Sequence, residues 1–508
     1  MKKITIGKKE IVLKDEWIIG FVTTWIVGLL AHAYRFFNFL PIWDSIYNFT
    51  GVGSTYTLGR WFLGYAGLIT SMFDLPWVNG AFSIFYVSVV VILLTEMFEI
   101  KNKGMIVLCA SLIVSFPTVV SSFAYMYTAD AYLLAFLLST AAVYLTWRVK
   151  KWGMAGGIVC LAFAMGIYQA YATVAIVLVL LYIIRQFVVE KLDFLTAVKR
   201  DLKYLGTLVG GAVLYIVILK ITLIRYNITL PSYQGIGAMG IMSLSQYKAA
   251  LQKTLYHFRL ILGMEHGVEK RIYSMLNAAV LLLIGLILIY LLIRNQVYKK
   301  KLSLLASVAA VCLIPVGAYF INFSSPDVQY YTLMEMAVCL IYLLLIIMLL
   351  QLDWQTWISK ILKGCGIFVL CGLVYYNVIN SNVAYFNLNL SYHKSISIAE
   401  DVLQRIEQMD EFKNQHDKVI IMGDYNCATE NLQIMMPSIM GISNDSFLND
   451  SYHYTILWNY CFGIQMEQAS YDEMMEIIET DEYKNMPVYP LKGCVDYING
   501  VIVVKMQE

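Results

Sequence analysis

"SVVVILLTEMFEIKNKGMIVLCASLIVSF" (residues 88–116) decides the fold. One apolar run ends, a short break carries Lys101 and Lys103, and a second apolar run begins. A helix needs roughly 20 apolar residues to cross a hydrocarbon core of about 30 Å. Two such runs joined by a short basic break read as antiparallel membrane helices with their connection on the cytoplasmic side, where Lys and Arg accumulate.

Worked outward from that pair, the same reading gives eleven apolar runs, near 17–35, 77–98, 104–122, 129–147, 153–170, 172–188, 204–224, 274–293, 302–321, 331–351 and 364–382. Composition agrees. The 508 residues are 59% hydrophobic and 14% charged, with a mean hydropathy of +0.65, which excludes an ordinary soluble globular protein. The net charge of +2 and the scatter of Lys and Arg exclude a nucleic-acid partner, which needs a concentrated basic face. The first run follows sixteen mostly polar residues without a small-residue cleavage site, so it reads as a retained anchor.

Orientation follows from the basic residues. Lys2, Lys3, Lys8, Lys9 and Lys14 precede the first run; Arg148 with Lys150 and Lys151, Lys199 with Arg200 and Lys203, Arg294 with Lys299 to Lys301, and Lys360 with Lys363 mark further inside connections. The short connections near 123–128, 168–172 and 322–330 carry neither Lys nor Arg. The N-terminus is thus expected inside, and three longer parts outside: 36–76, 225–273, and the chain after 383. Segments 60–73 and 243–266 have helical apolar faces shorter than a span and read as helices flat on the outer leaflet.

The region 384–508 reads as a small extracytoplasmic α/β domain. "SISIAEDVLQRIEQM" (395–409) is an amphipathic helix, "KVIIMGD" (418–424) a buried strand, and "GCVDYINGVIVVK" (493–505) a hairpin about Asn499-Gly500. It carries no phosphate loop, nucleophile elbow or metal motif, so it reads as a lid or acceptor platform. Of the nine cysteines, Cys109, Cys160, Cys312, Cys339, Cys365 and Cys371 lie in apolar runs, and Cys427, Cys461 and Cys494 in this region. None has zinc spacing.

Candidate chemistry lies at the outer mouths of the runs. Asp44 stands among Trp43, Tyr47 and Phe49, where desolvation makes a carboxylate a better proton acceptor; the other reading is a helix cap. Asp130, at the mouth of the fourth run, reads either as an intramembrane functional group or as a helix-start residue. Arg60, followed by Trp61, reads as a phosphate fork or as a side chain reaching for lipid headgroups. Lys220, Arg225, His257, Arg259 and His266 carry the same pair of readings, and Glu335 is a buried carboxylate able to pair with one of these cations, with Asp327 beside it at the surface. Tyr168 and Gln169 form a whole outer turn and would suit sugar binding by stacking and hydrogen bonding, against an aromatic belt for the tyrosine.

"GRW" (59–61), "YTADAY" (127–132), "GIYQAY" (166–171) and the terminal "MPVYPLKGCVDYINGVIVVK" (486–505), in that order behind an acidic residue in the first outer loop, resemble the type II serotype-converting glucosyltransferases of the multispanning GT-C class. The resemblance implies a GT-C-like membrane domain over 1–383 that moves a hexose, typically glucose, from a polyprenyl-phosphate donor to a surface polysaccharide at the outer face of the cell membrane. It puts the base on Asp44 and the second acidic position on Asp130. "PDVQYY" after Pro326 supplies no basic residue, so the phosphate partner falls to Arg60 or to the cations from Lys220 onward. The expected partners are the lipid-linked donor, the glycan acceptor and the bilayer; no cofactor is required, although Asp44 and Asp130 together could hold a divalent cation. A transporter or flippase would show inverted repeats and broken midplane helices, and neither is found. A lipid-linked glycan polymerase or ligase would share the carrier and the outer loops.

Overall fold

The computed structural model describes residues 2–6, 9–48, 55–70, 73–231, 239–240, 242–264, 271–425, 439, 441–442, 447–448 and 450–507. Phe49, His266 and Cys427 lie outside the described residues. The chain starts with an antiparallel pair, β1 (Lys2–Ile6) and β2 (Lys9–Leu13), and then enters α1 (Asp15–Phe37). Next come α2 (Leu63–Gly67), α3 (Pro76–Met97), α4 (Lys103–Val114), α5 (Pro117–Ala124), α6 (Met126–Arg148), α7 (Gly153–Ile167), α8 (Ala172–Val188) and α9 (Phe194–Tyr226). They are followed by α10 (Leu244–Ile261), α11 (Arg271–Arg294), α12 (Lys301–Cys312), α13 (Ile314–Ala318), α14 (Leu340–Leu349) and α15 (Trp357–Glu407).

The architecture is mostly helical, with a small sheet near the C-terminus. Among the described residues, eight helical stretches are long and apolar enough to cross a membrane: 15–37, 76–97, 103–124, 126–148, 169–188, 194–226, 272–294 and 357–407. The other three expected runs hold shorter apolar helices, Gly153–Ile167, Lys301–Cys312 and Met336–Leu349. Proline explains one of them. Pro315 ends the run at 302–321 as a helix after Cys312 and restarts it as α13. In the run at 331–351 the first part is 3-10 chain (Thr332–Met334, Met336–Cys339), and only then does α14 begin. Broken backbone at that depth is tolerated because protein encloses it: every residue of α14 is buried, among α4, α8, α11 and α15.

Small residues let the helices approach. A Cβ on Gly28 of α1 would stand 3.1 Å from both Ile84 of α3 and Val114 of α4, and one on Gly80 would stand 2.5 Å from the Phe36 ring. Two expectations for outer segments change. Among the described residues the stretch 60–73 is not one flat helix: α2 and a 3-10 turn (Leu68–Thr70) form, with Trp61, Leu63, Ala66 and Thr70 buried, because this chain wedges against α6 and α7. The second outer helix, α10, starts as expected, with Ser243 and Gln246 forming a capping box, and ends at Ile261.

α15 runs unbroken through 383/384. At 51 residues it is about 77 Å long, more than twice a hydrocarbon core. The amphipathic stretch expected at 395–409 is its outer end, where Val402 and Ile406 pack on the sheet. That sheet has the order β4-β3-β6-β5, from β3 (Asp417–Met422), β4 (Met466–Gln468), β5 (Val495–Ile498) and β6 (Val501–Lys505). β3 is parallel to β4 and β6, and β5 and β6 form the hairpin, with Asn499 at φ 52° and Gly500 at φ 84° as a type I′ turn requires. α15 and α16 (Ser451–Leu457) cover one face; α17 (Tyr471–Ile478) and α18 (Asp481–Asn485) cover the other.

Two charge pairs anchor these parts. Fully buried Arg35, at the end of α1, bonds Asp74 (3.2 Å) just before α3, the Phe123 carbonyl (3.0 Å) at the end of α5, and the Asn38 carbonyl (3.1 Å). It thus ties both ends of the first outer loop to the bundle. At the sheet, Lys418 bonds Glu473, which with the Ser470 donors holds the Glu473 carboxyl down to about 2.

Removing one member of a buried pair strands the other charge. Arg35→Met is therefore expected to destabilise the protein by about 3–5 kcal/mol, and Arg35→Met with Asp74→Asn by much less, as read from thermal unfolding of the full chain in detergent. Glu473 has a depressed carboxyl, so its contribution is present above about pH 4.5 and is lost as pH falls toward about 2. The stability difference between wild type and Glu473→Gln should accordingly shrink over that window, and shrink at any pH when salt is raised.

Candidate active site

The loop between α1 and α3 is built on three anchors that follow one another along the chain. After Arg35 comes a 3-10 turn, Trp43–Asn48, closed by reciprocal bonds between Ile42 and Ser45: the Ser45 N–H donates to the Ile42 carbonyl (2.8 Å) and the Ile42 N–H to Ser45 Oγ (3.1 Å). Asp44 lies within this turn. Ile46, two residues on, is buried in the core of the sheet domain with Val402, Leu448, Tyr454 and Trp458. Asp44 is therefore carried at the seam between the helical bundle and the sheet domain.

The second anchor is Gly59-Arg60-Trp61. Gly59 has φ 69°, and a Cβ there would stand 2.7 Å from Gln169 Nε2 and 2.9 Å from the Tyr215 hydroxyl. Both groups grip its backbone. Gln169 Nε2 donates to the Leu58 carbonyl (2.9 Å), and the Tyr215 hydroxyl donates to the Gly59 carbonyl (3.1 Å). Trp61 lies on Gly166, where a Cβ would meet the indole at 2.6 Å, and the Phe62 N–H donates to the Gly166 carbonyl (2.8 Å). "GRW" thus docks into "GIYQAY", which requires glycine in both.

The docking fixes Arg60. Its guanidinium lies 4.2 Å from the Tyr168 ring centroid, and Nη1 donates to the Tyr132 hydroxyl (3.2 Å); Tyr132 in turn stacks on Tyr168 (5.2 Å, 25°). The Tyr127 hydroxyl, from the same "YTADAY" stretch as Tyr132, is within electrostatic reach of both Asp44 and Arg60.

The third anchor is Asp130. Thr70 Oγ1 donates to one of its oxygens (2.8 Å) and Asn79 Nδ2 to the other (3.1 Å), so this buried carboxylate ties α6 to the loop's end and the start of α3. Across the site, His257 of α10 stacks on Tyr319 (6.1 Å, 22°) and lies 5.7 Å from Tyr330. Among the described residues Glu335 pairs with a tyrosine and not with a cation: it accepts from the Tyr319 hydroxyl at 2.7 Å.

The structure thus brings Arg60, Trp61, Tyr168 and Gln169 together, carries Asp44 in the same loop, and groups His257 and Glu335 about Tyr319. Lys220, Arg225 and Arg259 are exposed, Arg225 over Tyr226, which stacks on Tyr56 of the loop. Arg259 lies two residues from His257, on the other side of α10. Sequence reasoning missed Arg35, Asp74, Tyr127, Tyr132, Tyr215, Tyr319 and Tyr330. An Arg and an Asp at the two ends of one loop were a usable signal, whereas individual tyrosines among 37 were not. Among the described residues no group of three or more His, Cys, Asp or Glu side chains gathers as a metal site.

Gly59→Ala puts a side chain at positive φ against two hydrogen-bond donors and should destabilise the full chain by about 1–3 kcal/mol in thermal unfolding. Gly64→Ala is the control: nothing lies within 4 Å of its Cβ position, and a helical glycine replaced by alanine is neutral or stabilising.

The family model described as Glucosyl transferase GtrII matches residues 33–331, more than half of the chain. No curated protein and no solved structure matches it. The matched stretch begins within α1 and takes in Asp44, Arg60, Tyr127, Asp130, Tyr168 and His257. The chain belongs to the Glucosyl transferase GtrII family and is a multispanning membrane glycosyltransferase.

Proposed function

We propose that the protein transfers glucose from a polyprenyl-phosphate-linked donor to a cell-surface polysaccharide, at the non-cytosolic face of the cell membrane. All eleven apolar runs cross, with the N-terminus in the cytoplasm and residues 384–508 outside, as the distribution of Lys and Arg requires. The observation that carries this reading is the family match together with Arg60, whose guanidinium is held on the Tyr168 ring and the Tyr132 hydroxyl in the same loop that carries Asp44. A lipid-borne donor keeps its chain in the bilayer while its phosphate and sugar lie at headgroup level. Chemistry at that height needs a cation for the phosphate and a carboxylate on the opposite side of the anomeric carbon.

In this reading the acceptor hydroxyl attacks the anomeric carbon and gives its proton to Asp44. The bond from that carbon to the phosphate oxygen breaks, and the lipid phosphate leaves with its charge held by Arg60. Tyr132 and Tyr168 hold the guanidinium in place, and Trp61 and Gln169 hold the backbone that carries it, so the donor is oriented before reaction. Asp130 positions the loop. His257 and Glu335, with Tyr319 and Tyr330, form the sugar-facing wall, and Lys220, Arg225 and Arg259 meet lipid headgroups or the donor phosphate at the rim.

Transfer of radiolabelled glucose from purified polyprenyl phosphate donor tests the assignment. Asp44→Asn is expected to lower turnover about 10²–10⁴-fold at unchanged thermal stability, and Arg60→Ala about 10²–10³-fold, with Arg60→Lys recovering only part because a lysine lacks the planar fork. Unchanged transfer by a folded Asp44→Asn protein would place the base elsewhere.

A further inference from the structure

The carboxyl ends of β3 and β6 gather a strip of aromatic and charged side chains. β3 lies between β4 and β6 and is parallel to both, with α16 packed on one face of the sheet and α17 and α18 on the other, and the edge strand β5 leads into β6 through the hairpin. In open α/β sheets ligands bind outside the carboxyl ends of the parallel strands. Here those are the ends of β3 and β6.

The residues found there are not ordinary loop residues. Asp424 and Tyr425 follow directly on β3, and the Tyr489 N–H donates to the carbonyl of Lys505, the last residue of β6. Tyr425 and Tyr489 meet edge to face at 5.2 Å and 88°, both half-buried. Lys394 lies 5.7 Å from the Tyr425 ring and Arg405 lies 5.3 Å from the Tyr489 ring; both come from α15. Asp401 bonds Arg405 (3.0 Å) and the Tyr489 hydroxyl. On the bundle side, His453 is bonded to Asp450 at 2.6 Å and lies within electrostatic reach of Asp424. Both belong to the start of α16, which Ser451 pins to β3 through Ile421. α16 is also the helix that touches the 3-10 turn carrying Asp44.

We propose that this strip, from Asp424 and Tyr425 to Tyr489, binds the acceptor glycan and leads its reacting end to Asp44. The assignment rests on the transferase reading above and gives that reading an acceptor site. Its chemistry suits a neutral polyhydroxylated chain: half-exposed tyrosine faces stack on sugar C–H surfaces, while carboxylates and cations in alternation bond vicinal hydroxyls. Three acidic groups (Asp401, Asp424, Asp450) against two basic ones (Lys394, Arg405) give no field for a polyanion. The strip also runs toward the first loop, since the Phe39 ring of that loop meets Tyr392 of α15 at 6.5 Å, about two and a half turns before Asp401.

The test uses the full chain in lipid nanodiscs and, as probe, end-labelled fragments of the producing cell's surface polysaccharide, released by mild acid and sorted by length. Wild type should bind them with affinity rising with length; Tyr425→Ala and Tyr489→Ala should each bind at least tenfold more weakly, and Asp424→Ala, at an exposed position that folding does not need, severalfold more weakly. Asp44→Asn should bind like wild type while failing to transfer glucose. No binding by wild type, or equal binding by the tyrosine and Asp424 variants, overturns the strip and leaves the transferase assignment standing. Transfer by Asp44→Asn together with weakened binding by the tyrosine variants overturns the base and leaves the strip.

Discussion

Backbone that leaves a helix at the edge of a bilayer must find its hydrogen-bond partners in the protein, because hydrocarbon offers none. The first outer loop meets this constraint by spreading its contacts over many helix ends. Arg35 closes its base, Gln169 and Tyr215 take the Leu58 and Gly59 carbonyls, Gly166 receives the Phe62 N–H, and Asp130 receives Thr70. Everything at the site follows from this. Arg60 is oriented because the residues on both sides of it are held, and Asp44 is placed because the turn that carries it is packed from beneath by Ile46.

The same constraint explains why polar residues here so often serve position and not reaction. Asp130 has both oxygens occupied by the chain's own donors, and Gln169 spends its amide on backbone and on Tyr215. Glu335 is kept by a tyrosine, within a wall of aromatic rings joined in stacked or tilted pairs. An intramembrane charge is costly unless satisfied, so a buried carboxylate is as readily a structural tie as a reacting group. What separates Asp44 from the others is its place at the seam of the helical bundle and the sheet domain.

The sheet domain and the bundle are joined by a rigid element. α15 needs no linker, and a helix about 77 Å long fixes how far the sheet stands from the membrane. The first loop supplies the second attachment through Ile46, and a third comes from Gly441, whose Cβ position would lie 2.9 Å from Ala124 and 3.0 Å from the Tyr125 ring. Three separated contacts determine an orientation, which is what a platform beside a reacting centre requires.

By itself the sequence determined the apolar runs, their order, the hairpin at Asn499-Gly500 and the motifs that meet at the site, because span length, helical periodicity and turn chemistry are local properties. It also singled out Asp44, Arg60 and Tyr168, since charges and polar turns are conspicuous in an apolar chain. Tertiary structure alone decided that "GRW" docks into "GIYQAY", that Arg35 finds Asp74, that residues 60–73 break where a continuous helix was expected, and that α15 carries one helix from the bilayer into a sheet. Each of these depends on groups far apart in the chain meeting where water is excluded, and the free energy of such a meeting is set by the partner and by the burial, neither of which is written in the neighbouring residues.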